Sequence, residues 1–257
     1  YEGALPVLDR PTVAIVGTRR AQPYGRQVAY ELGASLARAG VCVVSGLALG
    51  IDVAAHRGSL AQHGAVAAVV GSGHHQPCPR AHRNVARDVA RHGVLMSEVP
   101  PGVPGAPWRF PVRNRVLAAL ADVVVIVESA SVGGSMHTVR EALERDVTVM
   151  AVPGPVTSPV SVGPHELIAD GALICTGVAD VLLQLGLRPP SLEPAPVRGM
   201  PSEVAAEILA QLDAHPIAME RLLDRVDLPL PTVLRAIDEL ISAGWAARDR
   251  GWVHRCG

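Results

Sequence analysis

Short runs of Val, Ile and Ala alternate with longer segments of helical period along the first 185 residues. Each run is four to six residues long and almost wholly apolar, which is typical of strands buried on both faces. The runs are Val13–Gly17, Val41–Ser45, Ala65–Val70, Val94–Ser97, Val123–Val127 and Val147–Val152. The helical segments are Gln27–Ala39, Asp52–His63, Arg83–Arg91, Asn114–Leu120 and Ser135–Arg145. This alternation predicts an α/β fold with an open, mainly parallel sheet.

Glycine follows the predicted strands repeatedly, at Gly17, Gly46, Gly71, Gly133–Gly134 and Gly154. In open parallel sheets the ligand crevice lies beyond the carboxyl ends of the strands, where these loops are expected. Functional residues are therefore sought in the loops that follow strands.

The alternating pattern stops near Leu185. Residues 186–201 are rich in proline and predict an extended linker. Residues 202–257 contain three short helical segments and a Gly-turned hairpin over Gly244–Arg255, which together predict a winged-helix domain. The helical segments are Ser202–Leu212, Ala218–Asp224 and Pro231–Ala243. The sequence thus predicts a sheet domain in residues 1–185, a linker, and a small C-terminal domain.

Composition narrows the class of protein. With 49% apolar residues, 18% charged residues and a net charge of −1, the chain is too apolar to stay disordered. No stretch approaches the ~18–20 apolar residues of a membrane span, so no membrane partner is expected. The four cysteines are scattered without a C-x-x-C pair, which favours reduced thiols and the cytoplasm. The chain opens at Tyr1 without a leader segment, which favours a fragment over a secreted precursor.

The first loop, Gly17-Thr18-Arg19-Arg20, favours an anion over a dinucleotide. A dinucleotide fingerprint needs three glycines so that the backbone can approach a pyrophosphate, and here only Gly17 is suitably placed. No cofactor is predicted. Arginine side chains and helix amides together suit a phosphate of a larger anion. A solvated arginine pair in a loop is an equally good interpretation of these residues alone.

The second loop, Ser45 to Asp52, leads into a helix on which Asp52 and His56 share one face. This pair could act as an acid and a base. An acidic residue that stabilises the first turn of the helix is the favoured interpretation, because no Ser or Cys nucleophile elbow accompanies the pair.

Two further groups of polar residues follow the third strand. His74, His75, Cys78 and His82 fit no familiar zinc spacing, so they predict a loop with surface histidines and no metal site. Arg80, Arg83, Arg87 and Arg91 lie at helical spacing and predict a basic stripe, which is either a binding surface or a solvated face.

The segment from Trp108 to Arg115 is the most informative one. It places Arg109, Arg113 and Arg115 around Phe110, which is the only Phe of the chain. Single-stranded nucleic acid is bound by aromatic rings that stack bases and positive charges that follow phosphates. A core phenylalanine beside helix-capping groups is the alternative interpretation.

The loop Gly133-Gly134-Ser135-Met136-His137-Thr138 leads into another helix. Glycines followed by hydroxyl groups suit an anion at a helix start, although the Lys-Ser/Thr ending of a nucleotide triphosphate loop is missing.

Taken together and in order, these motifs resemble the DNA-processing protein A (DprA/Smf) family, over roughly Val13 to Leu185. The motifs are Gly-Thr-Arg at 17–19 with Tyr24-Gly25, Ser-Gly-Leu-Ala-x-Gly-Ile-Asp at 45–52 with Ala55-His56, Phe-Pro-x-Arg-Asn-Arg at 110–115, Glu128 with Gly134-Ser135-x-x-Thr138, Val152-Pro153-Gly154, and Gly163-x-x-x-Leu167-Ile168-x-x-Gly171-Ala172.

The resemblance implies an extended Rossmann-like domain in a homodimeric, non-catalytic and cytoplasmic protein. Such a protein binds single-stranded DNA, protects incoming DNA and helps to load the RecA recombinase during natural transformation.

By position, the resemblance makes Arg19 the phosphate-contacting arginine and Phe110 the base-contacting ring. Arg113 and Arg115 are expected in the same pocket. A phosphate-facing loop is expected at Gly134, Ser135 and Thr138. The remaining expected DNA-binding residues are Gly17, Thr18, Ser45, Gly46, Arg109 and Asn114.

Two other functions remain open at this point. The same sheet resembles nucleotide-processing enzymes related to phosphoribohydrolases, and Glu128, Arg140 and Glu141 lie close together in sequence, although the Pro-Gly-Gly-x-Gly-Thr loop of those enzymes is missing. A winged-helix transcription regulator is the third possibility. It is weakened because residues 186–257 hold 8 arginines against 10 acids, a balance that predicts contact with protein and not with duplex DNA.

Overall fold

All six apolar runs predicted as strands form strands of one sheet. Its strands are β1 (Glu2–Gly3), β2 (Thr12–Val16), β3 (Cys42–Ser45), β4 (Val66–Val69), β5 (Val94–Met96), β6 (Val123–Ile126), β7 (Thr148–Ala151) and β8 (Leu173–Ile174). Their order across the sheet is β1-β5-β4-β3-β2-β6-β7-β8. Neighbouring strands from β2 to β8 are parallel, and β1 pairs antiparallel with β5 at one edge. The predicted α/β fold is therefore confirmed.

The computed structural model describes residues 1–75, 80–188, 199–212, 217–249 and 251–255. The chain divides into two units, Tyr1–Pro190 and Ser191–Gly257, and the eight-stranded sheet belongs to the first. No helix among the described residues is long and apolar enough to cross a membrane.

Helices cover both faces of the sheet. They are α1 (Pro23–Arg38), α2 (Ile51–Ala61), α3 (Arg83–His92), α4 (Arg109–Ala119), α5 (Gly134–Leu143), α6 (Val162–Ala169) and α7 (Val178–Gln184), with short 3-10 turns at Leu5–Asp9 and Arg80–His82. Side chains of α1, α2, α3 and α7 share one apolar core with the sheet, and those of α4, α5 and α6 share another on the opposite face.

The central strand β2 explains why its sequence is a continuous apolar run. Val13 and Ile15 belong to the core on one face, and Ala14 and Val16 belong to the core on the other. Because successive side chains of a strand point to opposite faces, a strand covered by helices on both sides must be apolar at every position.

Glycines bring α1 and α2 into close contact. A Cβ atom at Gly33 would lie 2.2 Å from the carbonyl oxygen of Ala55, and one at Gly58 would lie 1.9 Å from that of Tyr30. Both positions therefore require glycine. Since α1 and α2 begin after the loops that follow β2 and β3, their close packing also fixes the distance between those loops.

The order of the strands creates a topological switch point between β2 and β6. From β2 the chain proceeds through β3, β4 and β5 in one direction, and then returns to place β6 on the other side of β2. The loops that leave β2 and β6 diverge there and open a crevice at the carboxyl ends of the two strands, as is usual in such sheets.

The second unit has the winged-helix arrangement that the sequence predicts. Its described helices are α8 (Glu203–Ala210), α9 (Met219–Leu223) and α10 (Leu230–Ser242), and its strands are β9 (Ile217–Ala218), β10 (Ala246–Asp249) and β11 (Trp252–Arg255). The three strands form an antiparallel sheet in the order β10-β11-β9. The unit has its own apolar core, with Ile208, Leu222, Ile237 and Leu240 fully buried.

Several elements differ from the sequence-based expectation. The short edge strands β1 and β8 and the helices α6 and α7 carry no clear periodic signal in the sequence. Helix α4 begins at Arg109, five residues before the predicted start at Asn114, so Phe110 and Pro111 lie in its first turn. Proline is tolerated there because the first N–H groups of a helix have no acceptor within the helix.

Candidate functional site

A cavity of about 530 Å³ opens at the switch point, between the loops that follow β2 and β6 and the first turns of α4 and α5. Nine of the predicted site residues line it. These are Gly17, Thr18, Arg19, Phe110, Arg113, Asn114, Gly134, Ser135 and Thr138. Segments that are far apart in sequence therefore meet at one end of the sheet.

Arg19 and Phe110 form the exposed part of this cavity. The Cζ atom of Arg19 lies 4.8 Å from the centroid of the Phe110 ring, a distance typical of a cation–π contact. The Arg19 side chain is exposed, and the Phe110 ring is half-buried with its edge against Gly71. Phe110 is thus not a core residue, and a guanidinium plane and an aromatic ring are presented together to solvent.

Arg113 lines the same cavity but is buried. Its guanidinium lies over Gly46, where a Cβ atom would be 2.3 Å from Nη2, and it donates a hydrogen bond to the carbonyl oxygen of Val69. Burial lowers the pKa of Arg113 to about 10, although Asp52 beside it favours the charged form, and the positive charge of Arg19 lowers the pKa further. Two guanidinium groups that repel each other in this way would both be stabilised by an anion in the cavity.

Asp52 is the acidic partner of Arg113. Its carboxylate accepts hydrogen bonds from the backbone N–H groups of Gly46, at 3.1 Å, and Ala48, at 3.4 Å. Burial raises the pKa of Asp52, and the Arg113 charge together with these hydrogen bonds acts in the opposite direction. Asp52 does lie in the first turn of α2, as predicted, but it stabilises the loop before the helix and the buried arginine.

The loop between β3 and α2 has a strained backbone conformation. Leu47 is buried and has a φ of 54°, a backbone conformation that residues other than glycine seldom adopt. Its carbonyl oxygen contacts Nδ1 of His82 at 3.1 Å. Gly50 has φ of 82°, and a Cβ atom there would lie 2.2 Å from the carbonyl oxygen of Thr18. The loop is therefore held in a fixed position against the Arg19 loop.

Side chains of α4 and of the loop after β6 fix the first turn of α5. Asn114 donates from Nδ2 to the carbonyl oxygen of Gly134 at 3.1 Å. The Ser135 hydroxyl donates to the Ser129 hydroxyl at 2.9 Å, and Ser129 is itself fully buried. The first backbone N–H groups of α5 thus border the cavity at a helix start, where an anion is stabilised.

Four predicted site residues lie outside the lining of this cavity. Arg115 pairs with Glu98 instead of joining Arg113, because residues two positions apart on a helix point in different directions. Arg109 lies over the Trp108 ring at 5.0 Å. Ser45 is buried and donates to the carbonyl oxygen of Ile15, and Gly46 lies beneath the Arg113 guanidinium. The expectation that Arg115 shares the pocket of Arg113 is therefore corrected.

The cluster considered for an enzyme is not assembled at the cavity. The Glu128 carboxylate accepts a hydrogen bond from the N–H of Gln22 at 2.8 Å and lies directly beneath Gly25, so it stabilises the start of α1. Burial raises the pKa of Glu128. Arg140 is exposed on α5, and Glu141 pairs with Arg145 at 2.6 Å. None of the three residues lines the cavity.

His56 does not form an acid–base pair with Asp52. Its Nε2 atom contacts the carbonyl oxygen of Ala67 at 3.2 Å, and its Nδ1 atom has no hydrogen-bond partner among the described residues. Burial lowers the pKa of His56 to about 4, so the ring is neutral at pH 7.

The other histidine and arginine groups also differ in placement. His82 is buried, which corrects the expectation that it lies on the surface, while His75 is exposed and Cys78 lies outside the described residues. No group of residues in the described parts of the chain is arranged to hold a metal ion. Arg83, Arg87 and Arg91 are exposed along α3 and do not line the cavity.

Sequence reasoning missed three contributions to the site. Arg20 lines the cavity beside Arg19, and its adjacent position in the first loop was the available signal. Asp52 and Ser129 also line the cavity: Asp52 interacts electrostatically with Arg113, 61 positions away, and Ser129 accepts a hydrogen bond from Ser135, six positions away. Neither contact follows from spacing along the chain.

The family model for DNA recombination-mediator protein A matches residues 1–186. The chain belongs to this family. The Smf protein of Escherichia coli is 37% identical over 260 residues, which cover 97% of this chain and 69% of the relative.

Two solved structures extend this comparison. DNA processing protein A of Streptococcus pneumoniae superimposes with a TM-score of 0.68 at 35% identity, covering 71% of this chain and 64% of that one. The corresponding protein of Helicobacter pylori, described for its single-stranded DNA binding mode, gives a TM-score of 0.66 at 30% identity, covering 72% of this chain and 84% of that one. The chain thus covers about two thirds of the length of the E. coli and S. pneumoniae proteins. It covers 44% of a DprA protein of Mycobacterium tuberculosis that is 45% identical over the matched residues.

Proposed function

We propose that the cavity binds single-stranded DNA, with a phosphate held by Arg19 and Arg20 and a base stacked at Phe110. The observation that carries this proposal is the contact between the exposed Arg19 guanidinium and the half-buried Phe110 ring, at 4.8 Å. Positive charge and an aromatic ring side by side are what unpaired nucleic acid requires, because the ring stacks a base while the charge binds the backbone.

The charges around the cavity support an anionic ligand. Arg19, Arg20 and Arg113 line it, and the single carboxylate among the lining residues, Asp52, faces Arg113. The first turn of α5 adds backbone N–H groups at the opposite wall. The excess positive charge at the mouth therefore comes from the two arginines of the first loop, where a phosphate would lie.

The supporting residues have a different part in this proposal. Arg113, Asp52 and Asn114 are buried and are engaged with other protein groups. They are positioning residues, which hold the loops before α2 and α5 in place. Arg19, Arg20 and Phe110 are the residues that touch the DNA.

We extend the proposal to the family's role as a recombination mediator. The sheet domain of residues 1–185 would bind and protect incoming DNA, and a homodimer in the cytoplasm would help to load RecA on it during natural transformation. Support comes from membership of the family and from the related H. pylori structure. RecA loading is tested by measuring RecA-dependent ATP hydrolysis on single-stranded DNA with and without this protein, and a dimer by analytical ultracentrifugation.

The winged-helix domain of residues 202–257, reached through the linker of residues 186–201, is proposed to contact protein. Helix α10 carries the acidic residues Asp238 and Glu239. Arg248 lies 4.0 Å from Asp238, so the positive charge of Arg248 is partly offset. A duplex would be repelled by such a surface. Salt-sensitive duplex binding by the full chain that is lost with Arg235→Ala would contradict this assignment.

The central experiment compares single-stranded and double-stranded oligonucleotides across a salt series. We expect single strands to bind more tightly, and Arg19→Ala to weaken binding and to reduce the salt slope by about 0.7 for the lost phosphate contact. Arg38→Ala is the matched control, because Arg38 is also exposed but lies at the end of α1 with Ser35 as its partner. Equal affinity of the Arg19→Ala variant and the wild type would remove Arg19 from the site.

A further inference from the structure

A second guanidinium–aromatic pair lies at the start of α4. Trp108 is 63% exposed, and the Cζ atom of Arg109 lies 5.0 Å from its ring. Arg109 also donates a hydrogen bond from Nη1 to the carbonyl oxygen of Pro104 at 2.7 Å, which fixes the guanidinium near the indole. The indole is the largest aromatic side chain in proteins, and its exposure leaves much apolar surface in water.

A cavity of about 250 Å³ borders this pair. Its walls are mainly apolar and include Val99 and Val112, and its one carboxylate is Glu98. Glu98 pairs with Arg115, and both side chains are about half exposed. A carboxylate repels a phosphate but accepts hydrogen bonds from the amino groups of cytosine. The apolar walls and the Glu98 carboxylate therefore suit a base, while Arg109 and Arg113, which also line this cavity, supply positive charge for the strand.

The second cavity adjoins the first across Phe110. Gly71 lines the second cavity, and a Cβ atom at Gly71 would lie 3.0 Å from the edge of the Phe110 ring. Arg113 lines both cavities. Trp108 and Phe110 are two positions apart at the helix start, so their side chains project to different sides of α4. A strand that stacks one base on Phe110 could thus present a neighbouring base to Trp108.

We propose that Trp108 and Arg109 form a second nucleobase site, which takes a neighbouring base of the strand bound at Phe110, and that Glu98 favours a base with an amino group. The proposal rests on the proposed binding of single-stranded DNA. It gives a binding role to Trp108, an exposed side chain that contributes little to the apolar core.

The intrinsic fluorescence of tryptophan tests the stacking directly. Wild-type protein and Trp108→Phe are titrated with unlabelled oligo-dC and oligo-dT, and the difference between them isolates Trp108 from Trp245 and Trp252. We expect the Trp108 component to be quenched on binding. Anisotropy with labelled strands should show that Trp108→Ala weakens binding about 5- to 150-fold, the range expected for one stacked base. Val132→Ala, at a residue that is 95% exposed and outside both cavities, is the control.

The base preference is tested with Glu98→Gln. The wild-type protein should bind oligo-dC more tightly than oligo-dT, and the variant should reduce that ratio, because an amide can also donate to thymine. An unchanged ratio would overturn the role of Glu98.

The outcomes separate this inference from the proposed function. Tight binding with unquenched Trp108 and no loss in Trp108→Ala would overturn the second base site and leave the first intact. Absence of single-strand binding by the wild-type protein would overturn both. Thermal unfolding of each variant shows whether a loss of binding arises from a loss of folded protein.

Discussion

Arg19 and Arg113 line one cavity, yet the structure uses their identical side chains in opposite ways. Arg19 is exposed and lies against Phe110, whereas Arg113 is 6% exposed, donates a hydrogen bond to the carbonyl oxygen of Val69 and interacts electrostatically with Asp52. An exposed charge costs little to the folded state and is free to meet a ligand. A buried charge needs compensation within the protein, which Arg113 receives from the Val69 carbonyl oxygen and the charge of Asp52. Position relative to solvent decides which arginine binds and which one supports.

The largest expected effect is on the folded state. We expect Arg113→Ala to lower the free energy of unfolding by about 3–5 kcal/mol, because it leaves the buried Asp52 carboxylate without its partner. Arg19→Ala should change it by less than about 0.5 kcal/mol, as most exposed substitutions do. Denaturant unfolding of both variants measures the contrast. The double variant Arg113→Met/Asp52→Asn is the control and should recover part of the loss, since it removes both charges together. Equal stabilities of the two single variants would contradict the assignment of a structural role to Arg113 and not to Arg19.

The second effect is the pH dependence of the free energy of unfolding, which we expect to arise from the buried His56. The pKa of His56 is about 4 in the folded protein, against an ordinary value of 6.5. Burial is the main cause of this decrease, and the charge of Arg113 is a smaller one. As pH falls below 6.5, the unfolded chain binds the proton first, so stability present at pH 7 is lost toward pH 4. The loss should reach roughly 3 kcal/mol.

Free energies of unfolding at pH 7 and pH 4 measure this loss, with His56→Gln as the control. The carboxyl groups are the same in both proteins, so the difference between their pH dependences reports His56. A variant with the same pH dependence as the wild type would show that His56 is not the group responsible.

The third effect separates binding from support through the stacked base. Phe110→Ala should weaken single-strand binding by about 1–3 kcal/mol, the range for one stacked base, while Phe110→Trp should retain binding. Because Phe110 is half-buried and belongs to neither apolar core, we expect a smaller loss of stability than for Arg113→Ala. Anisotropy titrations and thermal unfolding of the same preparations provide the two measurements. Wild-type affinity in Phe110→Ala would exclude the ring from the site.

The smallest expected effect comes from lysine in place of each arginine. Arg19→Lys keeps the charge at an exposed position and should cost less than about 1 kcal/mol of binding. Arg113→Lys should lower stability more than binding, because a lysine ammonium lacks the planar guanidinium that lies over Gly46 and donates to Val69. The ratio of the two losses, measured by titration and by unfolding, sharpens the distinction between ligand contact and support. Similar losses of stability in both variants would contradict it.

The apolar pattern predicted the sheet because each central strand is buried on both faces. In the run that forms β2, Val13, Ala14, Ile15 and Val16 are all buried, as a strand covered on both faces requires. The edge strands β1 and β8 escaped detection for the same reason, because a two-residue strand buries too little to leave a pattern. Helix α4 begins five residues before the predicted start at Asn114, and its first turn accepts Pro111 because the N–H groups there have no acceptor within the helix.

The candidate site could be predicted only as a set of segments. The sequence placed glycine and arginine after β2, Phe110 among arginines and glycines at the start of α5, and the resemblance to the DprA/Smf family turned these segments into an expectation of single-stranded DNA binding. It could not show that Arg115 turns away to Glu98, or that Arg113 is buried above Gly46. Those facts depend on the rotation of α4 against the sheet, which many packing contacts decide together.

Periodicity and composition predicted the alternation of strands and helices, the local chemistry of each loop and the order of the last elements, because these are properties of neighbouring residues. Long-range packing of the chain decided that the Cζ atom of Arg19 lies 4.8 Å from the ring centroid of Phe110, 91 positions away. It also decided which arginines face water. Contacts over such distances arise when the sheet and its helices pack, and burial then determines whether a charge binds a ligand or holds the fold.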